Sequence, residues 1–287
     1  MGRANGVHFG YRAAGMTVSA VALSPPLEPA AALIVRVLPL HAAVYGTLVA
    51  IDFPTLPTKV LAVVFWGAAG LALRFQAARG VSFLACVLLT VHLFPLVPNH
   101  GYLFCLALFI GALFQTKSAR ERAAIVEAFR YLAAIVWFWS GMQKAWSGTW
   151  SHGQLLAYEI GHSPRFAPIF GWLTTRSERH AFRSNGPFMA NATFTMLGCS
   201  IWILEIGIGL GLLLLPSRYR KHCTWAAIAL LLGIEIVARE SIFGVLMLAL
   251  LVPSLDTRLR ARYLLCLVPI ELLTLGGRLS LIPGGFH

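Results

Sequence analysis

Apolar runs of bilayer length recur along nearly the whole chain, at 30–51, 58–75, 81–98, 102–116, 124–146, 189–215, 223–238, 241–255 and 263–275. A helix rises about 1.5 Å per residue, so a hydrocarbon layer of about 30 Å takes roughly 20 apolar residues. Such runs restrict the chain to membrane-spanning helices, because lipid offers no water to unpaired backbone groups. The charged fraction agrees: it is 12%, about half the roughly 25% of a soluble domain. The expected fold is an all-α, polytopic transmembrane helical bundle of nine spans, or eight. The runs at 102–116, 241–255 and 263–275 are short, which suits tilted, thinned or re-entrant segments.

A net charge of +12 raises the question of nucleic acid. The basic residues, however, fall in short clusters between apolar runs, as loop anchors do. No nucleic-acid motif accompanies them, so no nucleic-acid partner is expected. With an N-terminus in the cytoplasm, fourteen Lys and Arg lie on inner segments and eight on outer ones, with Arg36 inside a span. Most of the outer charges belong to one loop and its edge, 144–188. The positive-inside rule therefore favours a cytoplasmic N-terminus and a multi-pass protein of the cell membrane.

The chain divides into an N-terminal cytoplasmic tail (1–29), one membrane domain (30–275) and a short C-terminal tail (276–287). Residues 1–29 lack a compact apolar core with a small-residue cleavage site, so no cleaved signal peptide is expected. The loop at 147–188 is the only sizeable polar insertion. Its aromatics (Trp150, Tyr158, Phe166, Phe170, Trp172) suit short amphipathic helices folded back on the membrane surface. No internal repeat is visible, which weighs against a secondary transporter.

Ionisable residues at membrane depth are functional candidates, because their burial must be offset by pairing or by a task. They are Arg36, His41, His92, Glu205, Glu235 and Glu271, with Lys144 and His100 at the outer rim. Arg36 with Glu205 or Glu235 reads equally as a structural ion pair, and His41 and His92 as satisfied core histidines. Cys86, Cys105, Cys199, Cys223 and Cys266 all lie in apolar runs without a CxxC, and read as small buried hydrophobes. No HExxH or carboxylate–histidine cluster suggests a metal. Gly207-Ile-Gly209-Leu-Gly211 contains a GxxxG, which in an apolar span points to close helix packing. Lys144 follows Trp137, Trp139 and the Ser140-Gly141 step, with Trp146 and Trp150 beyond it. It is either a lysine snorkelling to water or a desolvated amine able to act as a base, with His100 on the same outer face as its electrostatic helper.

The stretch Val136-Trp-Phe-Trp-Ser-Gly-Met-Gln-Lys144, followed by Trp150 and Gly153, resembles the F-x-x-[AS]-G-x-x-K-x(5)-W-x-x-G segment of vitamin K-dependent γ-glutamyl carboxylase and its bacterial HTTM relatives. Asn99-His100-Gly101-Tyr102-Leu103 is similar to that family's N-H-x-Y-L, and Val35-Arg36-Val37 to its early F-R-[FI]. Glu205, followed by a Gly-rich run and Pro216-Ser217-Arg218, stands in the place of its acid-then-Arg pattern. The resemblance implies that Lys144 is the catalytic base and His100 its helper, both facing the extracytoplasmic side. It further implies a reduced quinone of vitamin K or menaquinol type, oxygen and, for carboxylation, carbon dioxide as co-reactants. Arg36, Asn99, Tyr102, Trp139, Trp150, Glu205 and Glu235 are then candidates for lining the substrate or quinol pocket.

The family's large lumenal β-rich region has no counterpart here, and a histidine usual in a later span is replaced by Glu235. A peptide or a small lipophilic molecule is therefore the expected substrate. The competing expectation is a non-catalytic membrane accessory protein for the maturation, export or immunity of a secreted peptide, with the 147–188 loop as its docking surface.

Overall fold

A computed structural model describes residues 27–96, 99–162, 171–182, 191–238, 241–255 and 269–270. Every regular element among them is helical. In chain order these are α1 (Leu27–Asp52), α2 (Leu56–Ala72), α3 (Gln76–Leu93), α4 (Asn99–Leu113), α5 (Ala119–Ser147), α6 (Gln154–His162), α7 (Arg176–Phe182), α8 (Ala192–Leu214), α9 (Ser217–Ala238) and α10 (Ser241–Leu251). Single turns of 3₁₀ helix occupy Gly171–Leu173 and Val252–Ser254. Each of the first eight apolar runs thus contains a helix. Four helices are long and apolar enough to cross a bilayer: α1 from Ala31, α3, α5 and α8. Leu56–Ala72, His100–Leu113 and Ile242–Ser254 are apolar but shorter.

Helix ends follow local chemistry. Ser118 begins α5 with a full capping box, its hydroxyl accepting from the Glu121 amide while Glu121 reaches back to the Ser118 amide. Gly148, at φ 71°, ends α5 in the left-handed conformation that a side chain would strain. Asn191 caps α8 by accepting from the Phe194 amide. Side chains from α3 and α5 collect the open carbonyls at the end of α4 and in the connection that follows it. Gln76 donates to the Ala112 carbonyl, Arg79 to those of Gly111 and Phe114, and Arg122 to those of Thr116 and Lys117. Positive groups there also meet the negative end of the α4 dipole.

α1 is the central helix, packing on α2, α3, α4, α5 and α10. Ile34, Val35, Leu38, Ala42 and Ala43 are almost wholly enclosed. A Cβ on Gly46 would fall 2.6 Å from the Phe65 ring, so the α1–α2 crossing is as tight as it is because glycine stands there. α5 is the second axis, touching α1, α4, α10 and above all α8. Outward faces stay apolar: Leu56, Val63, Leu71, Leu84, Leu88 and Val91 are all exposed. An exposed surface this apolar is what lipid requires and water penalises.

The insertion after α5 has its own small core. Leu156, Ala157 and Ile160 of α6 pack against Phe194 of α8, with Trp150, Leu173 and Leu197 at the edge. Gly153, at φ 68°, lies against the Phe194 backbone, where a Cβ would come within 2.8 Å.

Candidate functional site

Lys144 and Glu205 meet across the α5–α8 seam. The Lys144 ammonium donates to both carboxylate oxygens of Glu205, at 2.6 and 2.7 Å, and to the Ser140 hydroxyl at 2.9 Å. It also lies 5.1 Å from the centre of the Trp150 ring, a cation–π distance. The Glu205 side chain is 1% exposed and that of Lys144 19%. An ammonium has three hydrogens to donate, and here all three have acceptors.

The register of two helices produces this geometry. α5 and α8 run antiparallel, and their closest approaches are made by glycine. A Cβ on Gly141 would sit 2.8 Å from the Trp202 carbonyl, and one on Gly209 would sit 2.6 Å from the Phe138 amide. Those contacts bring Glu205 opposite Lys144. Although Lys144 is in the last turn of α5, α8 starts well beyond that end, beside Trp150 and Gly153. Glu205 therefore lies roughly 20 Å along α8 from Ala192 by helical rise. Lys144, expected at the outer rim, is tied to a carboxylate near the middle of α8.

Trp150 apart, the described sequence candidates have their observed neighbours elsewhere. His100 sits on α4 with its ring edge-on to that of Tyr45, the ring centres 5.4 Å apart, and Tyr45 stacks on Phe104 at 4.8 Å. None of its contacts is with Lys144. His41, on the same aromatic stack, has its Nε2 3.2 Å from the Ile242 carbonyl and so joins α1 to α10. His92 is exposed and meets the Thr55 hydroxyl at 3.3 Å. Tyr102 is exposed. Arg36, considered as a partner for Glu205 or Glu235, is exposed on α1 instead, while Glu205 is taken by Lys144. The Asn99 and Glu235 side chains, and all of Glu271, lie outside the described residues.

Trp139 lines a shallow apolar groove of about 280 Å³ together with Met142, Gln143, Trp146 and Ser147. Lys144 projects roughly 130° around the helix from the middle of that groove, at 100° per residue. Neither Lys144 nor Glu205 lines it.

Three features escaped the sequence reading. Ser140 is four residues before Lys144, a spacing that places two side chains on one helical face, so this partner was visible in principle. A second charged group joins α5, α8 and α9: Arg130 holds Glu127 and the Leu212 carbonyl, and Arg220 stands 3.7 Å from Glu127. The thiols of Cys86 and Cys105 touch across α3–α4 at 3.3 Å, a contact that no spacing indicates. The GxxxG is used unevenly: Gly209 meets α5 and Gly211 meets Cys223 of α9, while Gly207 has open space around it. Among the described residues no group of three or more His, Cys, Asp or Glu gathers in a metal-binding arrangement.

No protein-family model, curated protein or solved structure matches the chain.

Proposed function

We propose that the chain is an integral membrane enzyme resembling the vitamin K-dependent carboxylase. Its working centre in this reading is the Lys144–Glu205 pair, and its substrate is a peptide or a small lipophilic molecule. The observation that carries the reading is the contact itself. Two residues 61 positions apart, each singled out by the resemblance, share hydrogen bonds of 2.6–2.7 Å in a shielded seam. The full topology belongs to the same proposal: eight or nine spans, a cytoplasmic N-terminus, and Lys144 toward the extracytoplasmic side, as the loop charges favour.

A shielded ammonium–carboxylate pair can exchange its proton internally. Transfer from Lys144 to Glu205 leaves a neutral amine beside a carboxylic acid, and the amine can then accept a proton from an acidic hydroxyl. When bound, a quinol supplies such a hydroxyl and, with oxygen, oxidising chemistry. The apolar groove on α5 suits an isoprenoid-bearing ring, but Lys144 does not line it. The quinol, oxygen and carbon dioxide therefore come from the resemblance, and the proton chemistry from this chain's own pair.

The deciding experiment uses protein purified in lipid and supplied with menaquinol or vitamin K hydroquinone under oxygen, with quinone epoxide read by mass spectrometry. Lys144→Arg is the informative variant, because guanidinium keeps the ion pair yet does not act as a base. Epoxide from wild type and none from Lys144→Arg is the expected result. No epoxide from wild type, or equal amounts from both, overturns the enzyme.

A second reading has its own support. All three ammonium hydrogens of Lys144 are engaged, which suits a clamp in a non-catalytic accessory protein. Trp172, 79% exposed between α6 and α7, would then belong to a docking surface for a secreted peptide. Copurification of such a peptide that persists in Lys144→Arg and is lost in Trp172→Ala distinguishes this reading.

A further inference from the structure

Two thiols meet where α3 packs on α4. Cys86 of α3 and Cys105 of α4 are 19 residues apart in sequence, and their sulfurs stand 3.3 Å from each other. The contact belongs to a short chain of polar groups through an otherwise apolar seam. The Thr90 hydroxyl is 3.3 Å from the Cys105 sulfur, the Cys105 thiol donates to the Cys86 sulfur, and the Cys86 thiol points at the Gly101 carbonyl, 4.0 Å away.

The two sulfurs differ in access. Cys86 is 0% exposed. Cys105 is half-buried, and it sits between Tyr102 and Phe109, three residues before and four after it on one face of α4. Both of those rings are exposed, as is Leu106, so the Cys105 edge of the pair opens on the apolar exterior of the bundle. An accessible thiol beside a second, sheltered one is the arrangement in which oxidation of the first is resolved by the second. A disulfide needs its sulfurs about 2.05 Å apart, so the approach remaining from 3.3 Å is small on the scale of side-chain motion.

We propose that Cys86 and Cys105 are a redox-active dithiol, which a peroxide dissolved in the lipid converts to a disulfide linking α3 to α4. The Thr90 hydroxyl beside Cys105 can donate to the thiolate as its proton leaves. The thiolate attacks one peroxide oxygen: an S–O bond forms, the O–O bond breaks, and the departing alkoxide takes the thiol's proton to leave as an alcohol. The Cys86 sulfur then attacks the sulfur of the Cys105 sulfenic acid. The S–S bond forms, the S–O bond breaks, and hydroxide leaves with the Cys86 proton as water. Two thiols and one peroxide thus give a disulfide, an alcohol and water, with two electrons passed from sulfur to oxygen. None of these residues belongs to the Lys144–Glu205 pair, whose chemistry the thiols do not require.

The test uses the full chain, reduced and held in lipid vesicles, treated with cumene hydroperoxide, blocked with a maleimide and digested for mass spectrometry. The expected result is a linked pair of peptides carrying Cys86 and Cys105, lighter by two hydrogens than the separate thiols. Cys86→Ala should let dimedone trap a sulfenic acid on Cys105, whereas Cys105→Ala should leave Cys86 unmodified at the same dose. Thermal unfolding in detergent checks that both variants fold, and the wild-type cross-link is read without any substitution. Absence of the linked peptides from wild type overturns the pair. Dimedone adducts at Cys86 in Cys105→Ala as abundant as those at Cys105 in Cys86→Ala overturn Cys105 as the point of attack.

Discussion

Lys144 and Glu205 are each costly where they stand and tolerable together. Removing one partner strands the other charge, and for buried pairs that costs about 3–5 kcal/mol. Lys144→Ala should therefore destabilise the fold strongly, because it leaves Glu205, at 1% exposure, without its cation. The double replacement Lys144→Met with Glu205→Leu should recover much of the loss, since apolar side chains suit the seam. Unfolding of the single and double variants in detergent measures the coupling; additive effects would mean that the pair contributes nothing as a pair. At the surface, Glu178 illustrates a different balance. Hydrogen bonds from the Thr175 amide and hydroxyl, with a further one from Asn191, hold its carboxyl below the usual carboxylate range. The stabilisation this confers is complete above the ordinary range and is lost as pH falls through the depressed value. The Thr175 amide should accordingly stay protected from hydrogen exchange in mild acid, and Glu178→Gln should remove that pH dependence.

At the scale of elements, α5 and α8 define the site through their register, and glycine defines the register. A Cβ at Gly209 meets the Phe138 backbone and the Ala134 carbonyl at 2.6–2.8 Å. Neither can yield without moving a helix, so Gly209→Ala should cost about 1–3 kcal/mol. Gly207, on the same helix with nothing within 4 Å, is the control: Gly207→Ala should be neutral or stabilise by up to about 1 kcal/mol through helix propensity. Thermal unfolding of the two variants side by side checks this, and equal effects would contradict the seam. The GxxxG reading anticipated close packing here. Which glycines touch a neighbour depends on how α8 is rotated against α5.

At the scale of the whole molecule, two axial helices with others packed around them make an object whose outer faces are apolar and whose ends are polar. α5 alone is roughly 43 Å long at 1.5 Å per residue, more than the hydrocarbon layer. If α5 crosses a bilayer, its two ends lie on opposite sides of it. Single cysteines placed at Lys117 and at Ser151, in a background without the native cysteines, should be labelled by impermeant maleimide from opposite sides of oriented vesicles. Labelling of both from one side would remove α5 from the membrane. If the outer side proves to be that of Ser151, the cytoplasmic N-terminus follows by alternation through α1–α4.

The chain's local chemistry decided much without help from the fold. Hydropathy over windows of about 20 residues marks the helices, and caps such as Ser118 with Glu121, Asn191 and Gly148 mark their ends, because these interactions span only three or four residues. Lys144 stood out for the same reason: a cation among tryptophans is odd within its own segment. Its partner was not legible. Glu205 is 61 residues away, beyond a folded insertion, and a sequence holds no record of how far one helix slides or turns against another. The steric fit of Gly141 and Gly209 decides that. The sequence alone determined which residues burial would make costly; only the tertiary structure decided which of them offset one another.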